Sequence, residues 1–171
     1  MLTPAYRLTF STKSGSAGGV LGAVANVAAN TASVLLGMGG GKFQSAVNLA
    51  NSGAFTVHLF DADSDGRRDL VVLTSSGKVR LWKGDGKGGF AFASENNIDI
   101  DSVLALSADF DQDGRTDLVG SSRTGTALML YRSLGDGTFQ TASRNQTTAS
   151  VTHSLAVDVN QDGKLDLIAA E

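Results

Sequence analysis

The sequence predicts an all-β fold assembled from repeats of four short antiparallel strands. Three observations predict it. An acidic decapeptide recurs at residues 61–70, 109–118 and 158–167, with starts 48 and then 49 residues apart. A glycine-rich turn closed by phenylalanine recurs at Phe43, Phe90 and Phe139, spaced 47 and 49 residues apart. Between these landmarks lie short runs that alternate or stay apolar and show no helical period. Two independent landmarks on one period form a repeat, and the repeat sets the fold.

Composition agrees. The 171 residues suffice for a domain with a real core, and 21 glycines against a single proline suit many short strands joined by tight turns. A hydrophobic content of 42% argues against disorder. The net charge of −3 hides an asymmetry, because 11 of the 17 acidic residues lie in the three decapeptides. There is no basic footprint for nucleic acid. The absence of cysteine excludes disulfides and thiolate metal sites. No apolar run reaches the roughly 18 residues of a membrane span, so no membrane insertion is expected. Arg7 and Lys13 precede a small apolar run from Gly18 to Ala29, but Asn26 interrupts it and makes a poor signal peptide.

Taken in order, residues 1–30 read as a degenerate copy of the repeat. Its loop, Ser14 to Gly22, keeps glycine at position 6 (Gly19) but has lost every carboxylate, so it should bind no metal. An alternative is a disordered start over the first 20 or so residues. Ala32 to Leu36 is a short strand, followed by the turn Gly39-Gly40-Gly41-Lys42-Phe43. Phe55, Val57 and Leu59 alternate with Thr56 and His58, as in a half-buried strand. After the first acidic loop come Leu70 to Leu73, a turn at Ser75-Ser76-Gly77, Lys78 to Lys83, a glycine turn, and Phe90 to Ser94. The next period repeats this with Leu104 to Ala108, Leu118 to Ser121, Ala127 to Arg132 and Phe139 to Ser143. The last supplies Ser154 to Val157 and Leu167 to Ala170. Approximate repeats at 31–78, 79–126 and 127–171, with the worn copy at 1–30, make one domain of about three and a half propeller-type blades.

The acidic loops carry the chemistry. Asp61, Asp63, Asp65 and Asp69 occupy positions 1, 3, 5 and 9 of the first, with Gly66 at position 6. Asp109, Asp111, Asp113 and Asp117 do so in the second, and Asp158, Asn160, Asp162 and Asp166 in the third. Alternate spacing in a tight loop turns several oxygens toward one point, and glycine permits the sharp bend. Carboxylates this close repel unless a cation sits among them; hard oxygen ligands of flexible geometry favour Ca²⁺ over Mg²⁺. Backbone carbonyls of Arg67, Arg115 and Lys164 would complete each shell, by analogy with position 7 of an EF-hand loop. About three ions per chain are expected, in a structural role.

These loops, alternating with Gly-Asp-Gly-Thr-Phe-type turns, resemble the FG-GAP repeats of integrin-like β-propellers in their bacterial VCBS-type form. The resemblance covers residues 14–171. It implies propeller blades whose Ca²⁺ loops join two strands, and a secreted or cell-surface module that binds a protein or glycan ligand. It also implies settings in adhesion, in carbohydrate-binding lectins or beside a secreted carbohydrate-active enzyme. Such propellers usually carry about seven blades, more than this chain supplies.

Rival motifs fail on their own residues. An EF-hand needs a ligand at position 12, where Val72, Gly120 and Ala169 stand. Gly84 to Gly89 matches a dinucleotide fingerprint, but no helix pattern follows. Gly41-Lys42 is followed by Phe43 where a phosphate loop needs Ser or Thr. No Ser/His/Asp set or carboxylate pair suggests catalysis; His58 shares the register of Leu106 and Leu155. Leu35, Trp82 and Tyr131 each stand eight residues before a turn phenylalanine. They read as packing between blades, with Trp82 and Tyr131 as a candidate sugar-stacking platform. Finally, Ala32 to Val47 and Ser154 to Ala170 read as complementary half-blades. Each would leave an open edge, which fits a fragment of a longer protein or a head-to-tail homo-oligomer.

Overall fold

The computed structural model describes residues 7–11, 21–50, 53–98, 102–122, 127–140, 143–149, 151 and 153–170. Among these there is no α-helix. Two compact units emerge, one of Met1–Phe60, Gly66–Ser75 and Val79–Glu95, the other of Asp61–Asp65, Ser76–Lys78 and Asn96–Glu171.

The first unit holds the first sheet and most of the second. Strands β1 (Arg7–Ser11), β2 (Leu21–Asn26) and β3 (Thr31–Gly39) run antiparallel in chain order, and β4 (Lys42–Phe43) and β5 (Val47–Leu49) both pair with β3. The second sheet is β6 (Ala54–Phe60), β7 (Asp69–Thr74), β8 (Lys78–Gly84) and β9 (Phe90–Asn97), again in chain order. Its central strand, the continuous apolar run Leu70 to Leu73, is buried at every residue. The two sheets share one core. Ala23, Ala25, Ala32 and Val34 on the first meet Val57, Leu59, Leu70, Val72 and Trp82 on the second. Small side chains on one face admit the bulky ones of the other, which is how two sheets fill the space between them without voids.

The second unit holds β10 (Ser102–Ala108), β11 (Asp117–Ser122), β12 (Ala127–Ser133), β13 (Phe139–Gln140) and β14 (Arg144–Gln146). These form β10-β11-β12-β13, with β14 also on β12, so the fourth strand expected at Phe139 to Ser143 is split. A last pair, β15 (His153–Val157) and β16 (Asp166–Ala170), stands as a two-stranded sheet. Val119, Leu128 and Val151 form one core cluster of this unit, with Phe110, Leu130, Leu167 and Ala169 packed against it.

Two expectations need correction. The worn first hairpin is real sheet: β1 pairs with β2 from Arg7↔Ala25 to Ser11↔Leu21, and β2 pairs with β3 from Leu21↔Leu36 to Asn26↔Thr31. The strand pair from Ala32 to Val47 is therefore not an open half-blade, because β2 occupies the edge that a second copy would have needed. Most of the degenerate loop Ser14 to Gly22 lies outside the described residues. The second correction concerns the aromatics. Trp82 is 7% exposed and Tyr131 1%, so neither ring offers a face to a sugar. Trp82 packs in the core and meets the exposed Phe92 edge-on at 5.3 Å.

Candidate metal centres

Each acidic loop joins the first strand of a sheet to its second, so ladder pairing on both sides fixes its ends. The ladders close at Phe60↔Asp69, Ala108↔Asp117 and Val157↔Asp166. The three loops share a backbone path. Position 6 is left-handed in each, at Gly66 (φ 84), Gly114 (φ 86) and Gly163 (φ 85). Position 4 is left-handed too, and there the residues are not glycine: Ser64 (φ 61), Gln112 (φ 62) and Gln161 (φ 62). An L-residue in that region costs roughly 1–2 kcal/mol, and three repeats of the same cost point to a loop held for a purpose.

The path turns the carboxylates inward. Ligand oxygens of Asp61, Asp63 and Asp65 lie within 4.8 Å of one another, and so do those of Asp109, Asp111 and Asp117. Asp69 is not part of the first trio, nor Asp113 of the second. Among the described residues no acidic trio converges in the third loop, where Asn160 replaces a carboxylate. There the Asp162 amide donates to Asn160 Oδ1 (3.0 Å) and Asp158 Oδ1 (3.2 Å). The matching bonds in the first loop run from the Asp65 amide to Asp61 Oδ1 (3.1 Å) and Asp63 Oδ1 (3.2 Å). Arg67, Arg115 and Lys164 are exposed at position 7.

The ninth-position aspartate does more than the spacing implied. Asp117 is fully buried; its Oδ1 accepts the Ser133 amide (2.9 Å) and its Oδ2 the Phe110 amide (3.1 Å). Asp69 likewise accepts the Gly84 amide (3.0 Å), and Asp166 the Val159 amide (3.0 Å). This residue braces the loop against its sheet. Burial raises the Asp117 pKa, those two amides pull it back down, and the charges of Asp111 and Asp113 push it up further. A cation among these groups would relieve both burial and repulsion.

A second signal, missed in the sequence, links the two landmarks. Arg67 lies in ordinary contact range of a Cβ on Gly86, 3.6 Å away, and Arg115 Nε would come within 2.7 Å of a Cβ on Gly135. The position-7 arginine thus covers the glycine turn of its own sheet. In those turns Asp85 accepts the Lys87 (2.7 Å) and Gly89 (2.9 Å) amides, while Asp136 accepts the amide and hydroxyl of Thr138. These bonds lower both pKa values, mainly through backbone amides at Asp85 and the Thr138 hydroxyl at Asp136.

The residues fit a cation on one further count. Asp109 Oδ1 is buried without a hydrogen-bond partner, while its Oδ2 accepts the Gly114 amide (3.0 Å). A buried carboxylate oxygen with no donor is costly, and a metal ion is the partner that this donor set suits. The FG-GAP-like repeat model matches residues 61–108 and 109–169. The chain belongs to the FG-GAP-like repeat family. FG-GAP repeats form propeller blades, and the four-stranded sheets of this chain are such blades. No curated protein matches it. Among solved structures it is similar to a lectin of Agrocybe aegerita, described for specific recognition of non-reducing terminal N-acetylglucosamine. The TM-score is 0.62 at 19% identity, over 88% of this chain and 42% of that one. At that identity the likeness bears on the fold alone. The FG-GAP-like chain spans less than half of the lectin's length.

Proposed function

We propose that this FG-GAP-like chain is a Ca²⁺-binding, non-catalytic propeller module for extracellular binding or adhesion, with residues 1–171 acting as one repeat domain. The observation that carries it is the buried, donor-less Asp109 Oδ1 in a loop where Asp109, Asp111 and Asp117 converge. Asp61, Asp63, Asp65 and Asp69, and Asp158, Asn160, Asp162 and Asp166, would hold ions in the same way, with the position-7 carbonyls completing each shell. Each ion would neutralise its loop and pin two strands. A secreted or cell-surface setting follows the habit of the family; no helix among the described residues is long and apolar enough to cross a membrane. Calorimetric titration of decalcified protein tests this reading. Three sites are expected, in the roughly 10⁻⁴ to 10⁻³ M range of extracellular modules. No heat of Ca²⁺ binding would overturn the reading; a fourth ion would place one in the Ser14 to Gly22 loop.

A second reading, glycan binding, is supported by the lectin's fold likeness. With Trp82 and Tyr131 buried, it needs another surface. A glycan array in Ca²⁺ separates the two readings.

A further inference from the structure

The acidic loops are not independent of one another. The side-chain amide of Gln112, at position 4 of the second loop, donates to the carbonyl of Gly163, at position 6 of the third. The Gly163 amide in turn donates to Asp158 Oδ2 (2.8 Å), the first ligand position of that third loop. One residue, Gly163, therefore ties the two loops together through the peptide units on either side of it. On one side stands Gln112, flanked by the carboxylates of Asp111 and Asp113; on the other stands Asp158.

Resting on the Ca²⁺ reading above, we propose that the second and third loops bind Ca²⁺ as a positively coupled pair, through the Gln112–Gly163 hydrogen bond. An ion captured by the second loop fixes the backbone on both sides of Gln112. That fixes the amide that holds Gly163, and hence the amide that orients Asp158. The side of Gly163 where a side chain would stand is open: a Cβ there would meet no atom within 4 Å. These two hydrogen bonds help to hold it, and ordering it in advance lowers the ordering cost of the second ion. Repulsion between the two ions opposes this, but exposed charges are screened beyond about 8 Å at physiological ionic strength.

The test follows the backbone amides of Gly66, Gly114 and Gly163 by NMR during Ca²⁺ titration of the full chain. Each amide reports one loop. Asp162→Asn disables the third loop while keeping an oxygen for the Lys164 amide, which Asp162 Oδ1 accepts at 2.8 Å. Gln112→Asn keeps an amide tolerant of left-handed φ but shortens its reach by one methylene. Asp162→Asn is expected to raise the Ca²⁺ midpoint seen at Gly114 about fivefold or more, the lower range of measured couplings. In the Gln112→Asn background the same substitution should leave that midpoint unmoved. A Gly114 midpoint indifferent to Asp162→Asn in the otherwise native chain overturns the coupling, and a Gly66 response to Ca²⁺ then leaves the metal reading standing. No Ca²⁺ response at any of the three amides overturns both.

Discussion

Asp109 carries the sharpest prediction at the scale of single residues. Its Oδ1 is buried without a donor, and its Oδ2 already accepts the Gly114 amide. Without metal, that carboxylate is a liability; with metal, it is a ligand. Asp109→Asn should therefore change thermal stability little, or raise it, in EDTA. In Ca²⁺ it should lose the stabilisation of one site, about 2.7 kcal/mol at a hundredfold excess over Kd. Melting curves in both conditions check this, and an equal loss in each would show that Asp109 acts by hydrogen bonding alone. At this scale, Asp61, Asp63 and Asp65 at positions 1, 3 and 5 and the glycine at 6 were legible, because repelling charges and a φ-permissive residue have few other uses together. That Asp117 rather than Asp113 joins Asp109 and Asp111 was not legible. The left-handed position 4 was not, since Ser64, Gln112 and Gln161 do not advertise that conformation. Nor was the brace role of Asp117, because its amide partners, Phe110 and Ser133, come from separate stretches of chain.

Among the elements, the loop and the glycine turn of a sheet are joined by the position-7 arginine. This gives the fixed alternation of the two motifs a physical cause. A side chain at Gly135 would have to displace Arg115, and the residue sits at φ 75. Gly114 is just as left-handed at φ 86, but a Cβ there meets nothing within 4 Å. Gly114→Ala should therefore cost only the conformational penalty, roughly 1–2 kcal/mol. Gly135→Ala should cost measurably more, and in an Arg115→Ala background the excess should shrink to what the Ser64 hydroxyl, 3.1 Å from the same Cβ, contributes. Denaturant unfolding of this double-mutant cycle supplies the check, because contacting residues couple and distant ones add. Strands between the landmarks were legible wherever bulky apolar residues alternate or run together, as in β6 and β7. The first hairpin was harder. Its second strand reads Leu21-Gly22-Ala23-Val24-Ala25-Asn26, small side chains that suit close packing on the second sheet but give a weak strand pattern.

For the molecule as a whole, the two end sheets differ in chemistry. On β2 and β3, one face is apolar and packed; the other carries a hydrogen-bonded polar cluster. There Asn26 donates to Thr31 (3.0 Å) and Ser33 (2.7 Å), and Ser33 donates to Asn48 (2.6 Å). That cluster does not invite apolar association, and the exposed apolar residues of this sheet lie elsewhere on it, at Met38, Phe43 and Val47. The two-stranded sheet β15–β16 is the reverse: Leu155 is 58% exposed, Val157 36% and Ile168 47%. The end-to-end complementarity expected from the strand order is missing in pairing, because β2 already pairs with β3. Half of that expectation was readable, because the last sheet does lack its third and fourth strands among the described residues. The other half failed because β1 and β2 complete the first sheet.

Equivalent positions turn this contrast into a measurement. Val71 and Ile168 hold the same place after their loops; Val71 pairs with His58, and Ile168 with Leu155. Val71 is 0% exposed, Ile168 47%. Val71→Thr buries a hydroxyl in a packed sheet and should cost about 1–3 kcal/mol if it finds no partner. Ile168→Thr replaces an exposed ethyl group by a hydroxyl and should stay within about 0.5 kcal/mol of the parent. Because exposed apolar patches drive association, Ile168→Thr together with Leu155→Thr should also lower the concentration-dependent mass seen by light scattering and the binding of a hydrophobic dye. Val71→Thr should leave both readouts unchanged in the folded protein. Equal stability costs at the two positions, or undiminished association in the double variant, would mean that the β15–β16 face is covered in solution.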